Sequence, residues 1–254
     1  MTVATLKLTE PRVMTGIGVG LLVLSAWLAL IVIHGDAGLA LESIAELCGQ
    51  IGGSVALWFY PAVLFMWLLM AIAMMLPTAL PTIDLYVQLS RRMESGRSQR
   101  IVLFVAGYVV AWGAFGALAA ALQITLRAIP VDDLAPVIAA GSVLILAGLY
   151  QFSALKQKCL ALCHNPMLFF MSRWRETYPG TLRLGIEHGL ICIGCCWALM
   201  LLMFVTGAMN LVWMAMLGLA MLLEKLLPDA GTWGRVAGAL MIAAGAVTIG
   251  TILI

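Results

Sequence analysis

The sequence predicts an all-α polytopic membrane protein, a single bundle of about seven transmembrane helices with a cytoplasmic N-terminus. Three observations point there. Of 254 residues, 63% are hydrophobic and 10% charged, where soluble domains average roughly 45–50% and about 25%; the mean hydropathy is +1.07. Apolar runs of about 20 residues, which at ~1.5 Å per residue cross a hydrocarbon core of ~30 Å, recur along the whole length. Lys and Arg gather in the segments that strict alternation of spans places on one side.

The first span, residues 13–33, is too long and too mixed with glycine for a cleaved signal, and no small-x-small site follows it cleanly. Residues 55–76, 101–122 and 134–155 are the next three. Residues 189–223 form nearly 35 residues of apolar sequence, which as one helix of ~52 Å would overshoot the bilayer. They therefore fold back as a hairpin, and "GAMN" at 207–210 is the only polar, turn-capable break inside the run. Residues 235–254 close the set. Without the bend there are six spans, and Lys225 and Arg235 move outside.

With the N-terminus inside, the cytoplasmic segments hold Lys7, Arg12, Arg91, Arg92, Arg97, Arg100, Lys156, Lys158, Arg173, Arg175, Arg183, Lys225 and Arg235, and only Arg127 lies outside. The first external loop carries Asp36, Glu42 and Glu46 without a basic residue, as the positive-inside bias requires. The longest loops, about 35–54 and 156–188, are too short for a second domain, so 1–254 reads as one transmembrane domain.

Polar chemistry concentrates on the cytoplasmic face of this map. "KCLALCHNP" sets Cys159, Cys163 and His164 just past the fourth span, and "CIGCC" sets Cys192, Cys195 and Cys196 at the start of the fifth. Residues three and four apart share a helix face, so each group projects together. Thiolate is the ligand form of cysteine, and a helix N-terminus favours negative charge. A lone cysteine such as Cys48 is ordinary packing, but five of the six cysteines fall in two compact groups, each beside a histidine. The spacings are not those of zinc knuckles, and they fit soft-metal binding or thiol redox chemistry. His188 abuts the fifth span, as a ligand or a loop cap.

Methionine is the second soft group. Met66, Met70 and Met74 recur every fourth residue in "MWLLMAIAMMLP", and thioether suits Cu(I). Methionine also fills gaps between membrane helices, so Met70 and Met74 are the best ligand candidates rather than all sixteen methionines. Glu224 and Lys225, in "MLLEKLLP", sit at or just inside the cytoplasmic end of the sixth span; an acid at membrane depth faces protein, water or a cation, and otherwise Glu224 is a simple interface charge.

"MWLLMAIAMMLP", "GYVVAW", "LKQKCLALCHNP", "EHGLICIGCCWALM" and "GAMNLVWMAMLGLAMLLEKL" together resemble, over about residues 66–225, a bacterial and archaeal family of predicted metal-binding integral membrane proteins, domain of unknown function 2182. The resemblance implies a metal-binding role in a cytoplasmic (inner) membrane. It also implies functional positions at Met70, Met74, Met75, Cys159, Cys163, His188, Cys192, Cys195, Cys196, Met209, Asn210 and Glu224.

Three functions follow as expectations. The first handles a soft ion, copper ahead of zinc, by transport or delivery through a Cys/His/Met site, with the lipid bilayer and a metallochaperone or client protein as partners and no nucleic acid. In this reading Cys192, Cys195 and Cys196 form half of a site completed by Cys159, Cys163 or His188 and lined by Met70, Met74 and Glu224. The second is a thiol oxidoreductase exchanging electrons with quinone through Cys192 and Cys195. The third is a non-catalytic subunit or assembly factor with a structural metal. No GxxxxGK[ST] occurs, so ATP-driven pumping by this chain alone is not expected. For the topology, reporter fusions after Arg235 and at Ile254 should read cytoplasm and exterior respectively; two cytoplasmic readings would remove the hairpin.

Overall fold

The computed structural model describes residues 11–50, 55–92, 96–128, 134–206, 210–227 and 230–251. Among them all regular structure is helical: α1 (Pro11–Gln50), α2 (Val55–Leu89), α3 (Arg97–Ala128), α4 (Leu134–Gln151), α5 (Ala154–His164), α6 (Pro166–Arg173), α7 (Tyr178–Thr206), α8 (Leu211–Leu226) and α9 (Ala230–Gly250), with one 3-10 turn at Ser90–Arg92. Five helices are long and apolar enough to cross a membrane, and six if the pair Pro136–Gln151 and Ala154–His164, bent by 61°, counts as one span. The apolar α8, at 16 residues, is ~24 Å long and makes the seventh arm. The expected count of about seven therefore holds approximately.

Several boundaries differ from the sequence reading. The expected loop at 35–54 is helical as far as Gln50, and 156–188 holds α5, α6 and the first turns of α7. The second span continues past Pro77 and Pro81 to Leu89. A proline inside a helix removes one N–H and frees the carbonyl four residues earlier. Here the Trp27 indole of α1 donates to the Ala73 carbonyl at 3.2 Å, which is the group Pro77 leaves open. A neighbouring helix thus supplies the missing donor, and α2 runs on. The bend expected at 207–210 falls where α7 ends and α8 begins. Asn210 caps α8, its side chain accepting from the Val212 and Trp213 amides at 3.1 Å each; residues 207–209, with Met209, lie outside the described residues.

Glycine sets the closest helix pairs. A Cβ on Gly107 would stand 2.2 Å from the Leu182 carbonyl oxygen, and one on Gly185 would stand 2.1 Å from that of Phe104, so α3 and α7 touch backbone to backbone. In α4 and α9, Gly148 faces the Gly238 carbonyl at 2.6 Å from the same ideal Cβ position. Without a hydrophobic drive between helices in lipid, such close approach supplies the dispersion contact that holds them.

Helix lengths then divide the bundle in two. Cys192 lies fourteen residues from each end of α7. α8 starts beside the end of α7 and its Lys225, fourteen residues past Leu211, returns ~21 Å to the level of Cys192. Near this level α4 ends and α9 begins, with the Gly234 backbone facing the Glu224 carboxylate and Gln151 amide. The short helices thus cover one apolar half, ~24–32 Å deep, while α2, α3 and α7 continue beyond it. That continuing half carries Asp84, Arg97, Arg100, Arg183 and Glu187, together with α5 and α6. Arg12 of α1 pairs there with Asp84, and Arg173, Arg175 and Arg183 surround Glu187 at 3.0–3.6 Å.

Replacing Gly185 by Leu should split the α3–α7 pair and lower thermal stability in detergent by roughly 3 kcal/mol or more, since the Phe104 carbonyl it would meet is backbone and cannot yield. An unchanged melting temperature would mean that α3 and α7 do not touch there.

Candidate metal centre

The site is built on the middle of α7. The spacing of Cys192, Cys195 and Cys196 puts all three on one face of the helix, and their sulfurs lie within 4.8 Å of one another. All three are buried. The Cys195 and Cys196 thiols donate back to the Cys192 carbonyl at 3.0 and 2.9 Å, which turns both sulfurs toward the preceding turn. Cys196 also meets the Met75 thioether of α2, sulfur to sulfur, at 3.6 Å.

The group was expected at the helix start, where the helix dipole favours thiolate. The structure places it mid-helix because "YPGTLRLGIEH" is helical too, and a dipole acts only over the first turn. A side-chain cation stands there instead. Lys225 donates to the Cys192 sulfur at 2.8 Å and to the Thr78 hydroxyl at 2.9 Å. On the other side of Cys192 the Tyr108 hydroxyl is 3.1 Å from the sulfur and donates to the Met75 carbonyl at 2.9 Å. That carbonyl takes the single hydroxyl hydrogen, so Cys192 is the donor to Tyr108. The result is one directed chain from Lys225 through Cys192 and Tyr108 to the backbone of α2.

The second cysteine group adjoins the first. The Cys163 side chain of α5 faces that of Cys195. The Cys159 sulfur lies 2.7 Å from the Cβ position that Gly194 lacks, so only glycine lets α5 sit this close to α7. Both α5 thiols are half-buried. The histidines stand apart from the sulfurs in their contacts. The His188 ring packs among Phe104, Tyr108 and Phe169, with centroids 6.0, 5.6 and 5.4 Å away. His164 donates through Nε2 to the Glu224 carbonyl at 2.9 Å.

Among the methionines, it is Met75 that touches the thiols; Met74 packs on Gly218 of α8 at 3.5 Å from its ideal Cβ, and Met70 is buried farther up α2. Glu224 is ion-paired with Lys156 of α5 at 2.6 Å. Sequence reasoning set Lys225 at membrane depth but did not bring it, Thr78 or Tyr108 to the cysteines, and it missed Lys156 as the partner of Glu224. The signals were there as a lysine inside the apolar run "MLLEKLLP" and a tyrosine in the motif "GYVVAW".

Residues 64–248 match the model of a family described as PpoB2, copper chaperone. The chain belongs to that copper-chaperone family. No curated protein and no solved structure matches it. The match is wider than the 66–225 core seen in the motifs and includes all of α7, α8 and most of α9. Membership agrees with the donor set: clustered thiols with a thioether beside them suit a soft metal such as copper.

Tyr108 joins Cys192 to the backbone of α2, so Tyr108→Phe should cost about 1–3 kcal/mol of stability through the two lost partners. Thermal melting of the purified protein checks this, and a Tm equal to that of the parent would contradict the bonded chain.

Proposed function

We propose that this protein binds copper(I) as cargo at Cys192, Cys195 and Cys196, with Cys163 or Cys159 of α5 completing the donor set, and hands it to a client. The buried three-sulfur group carries this reading. Unpaired thiolates are costly to bury, and a metal cation neutralises them. Soft thiolate and thioether donors favour Cu(I) over harder ions, with zinc the next choice. The bilayer as surroundings and the cytoplasmic side as the side of exchange belong to the same proposal.

Delivery from one side is preferred to passage through the membrane. The half-buried thiols lie on the α5 side, whereas α2 above Met75, α7 above Cys196 and α8 before Glu224 carry no charged residue. The buried Met70, Met74, Met200, Met203, Met214 and Met221 are what favours transport as the second reading, because they continue soft donors away from α5. Glu224 and His188 act in this reading through their neighbours rather than as ligands.

Elemental analysis of the detergent-purified protein should find about one copper per chain, lost in the Cys192→Ser/Cys195→Ser/Cys196→Ser variant. Equal metal content in both would reject the site. Metal in neither, with a reversible Cys192–Cys195 disulfide coupled to quinone reduction, would establish an oxidoreductase.

A further inference from the structure

α5 is the one helix of the site that is short and broken from its neighbours at both ends. It spans 11 residues between Ser153, which caps it by accepting from the Lys156 amide, and Asn165. Its axis turns by 61° from α4. Lys156 and Cys163 lie at i and i+7, with buried Leu160 between them, so the face that carries the ammonium also carries a thiol of the site.

Both ends of this helix grip a single residue. Near its start, Lys156 pairs with the Glu224 carboxylate at 2.6 Å and also donates to the Gln151 side chain. At its end, His164 donates to the Glu224 backbone carbonyl at 2.9 Å. The ammonium is 1% exposed and Glu224 8%. Gly234 makes the room: a Cβ there would stand 2.6 Å from the carboxylate. The next residue of α8, Lys225, holds Cys192, so the end of α8 ties the α5 and α7 thiols to one another.

We propose that Glu224 is a positioning residue that holds α5, and with it Cys159 and Cys163, over the Cys192–Cys195–Cys196 group, and that release of this grip opens the site to a client's ligands. The role as gate to the cargo rests on the copper reading above; the grip itself does not. Glu224→Gln keeps the shape but leaves the Lys156 ammonium buried without its counter-charge. Such a charge is expelled to water, and water is reached by lifting α5.

Alkylation of metal-free protein by N-ethylmaleimide, with each cysteine followed by peptide mass spectrometry, reads the grip directly. In Glu224→Gln, Cys159 and Cys163 should react at least about tenfold faster than in the parent, while Cys192, Cys195 and Cys196, uncovered only on the α5 side and still packed by α2, α3 and α8, should accelerate less. In a Lys156→Met background, where no charge is left to expel, the same substitution should accelerate them much less, the non-additivity expected of a direct pair. This background also covers the case in which the single variant does not fold. Unchanged Cys163 reactivity, additive effects in the two backgrounds, or equal acceleration at all five cysteines would each overturn the proposal, the last because it marks general unfolding. With the copper-loaded protein, transfer to bathocuproine disulfonate should accelerate by a similar factor in Glu224→Gln. If the parent takes up no copper, the copper reading fails while the alkylation result still decides the grip.

Discussion

Lys225 reaches the Cys192 sulfur at 2.8 Å in the middle of the molecule, and much of the architecture follows from making that contact. An ammonium is costly to bury unless its donors are all engaged. Cys192 and Thr78 engage two of them, which fixes α8 against α7 and α2 together. The helix lengths serve this meeting, because fourteen residues up α7 and fourteen back down α8 bring the two groups to one level. A one-residue change in either arm would rotate the lysine by ~100° away from the sulfur.

The same contact needs a rigid frame behind it. Tyr108 anchors Cys192 from α3, and α3 is held on α7 by glycines that admit no side chain between the backbones. Met75 sits on α2 next to Pro77, where the helix has lost a backbone bond and borrowed a donor from α1. Four helices from distant parts of the chain therefore converge on three adjacent thiols. Such a site is preorganised by packing, so a bound ion would meet donors already in place, in keeping with a role in holding cargo without loss.

The sequence made the fold class and both cysteine groups legible, for physical reasons. Apolar run length is dictated by bilayer thickness, and the helical spacing of Cys192, Cys195 and Cys196 fixes a shared face whatever surrounds it. The depth of that face was not legible. "RLGIEH" carries charge, so it reads as the water side of a boundary, yet a helix can continue past its apolar run, and α7 starts as early as Tyr178. Pro77 likewise reads as an end, because the donor that rescues it sits on Trp27, about fifty residues away. The partners of the thiols were hidden for the same reason. Lys156 and Lys225 lie on different helices, and only the bend after Gln151 and the short return of α8 bring Lys225 to Cys192 and Lys156 to Glu224 beside it in the chain.

The cysteine group lies at the level where the short helices end, and that depth suits a metal site. Deeper in the apolar half, an ion held by thiolates would be hard to load, since every ligand approaching it would have to shed its water in hydrocarbon. Farther out, among Arg173, Arg175 and Arg183, water would compete for the metal and screen the charges. At the level of Cys192 the apolar half excludes water on one side, and on the other α5 offers two half-buried thiols. In the copper reading proposed above, ligand exchange would pass stepwise, one sulfur replacing another, without the ion ever being bare. For copper this order of events matters because thiolate binds it tightly, and transfer through shared sulfur ligands avoids the full cost of dissociation. A chaperone needs that property more than it needs the highest affinity.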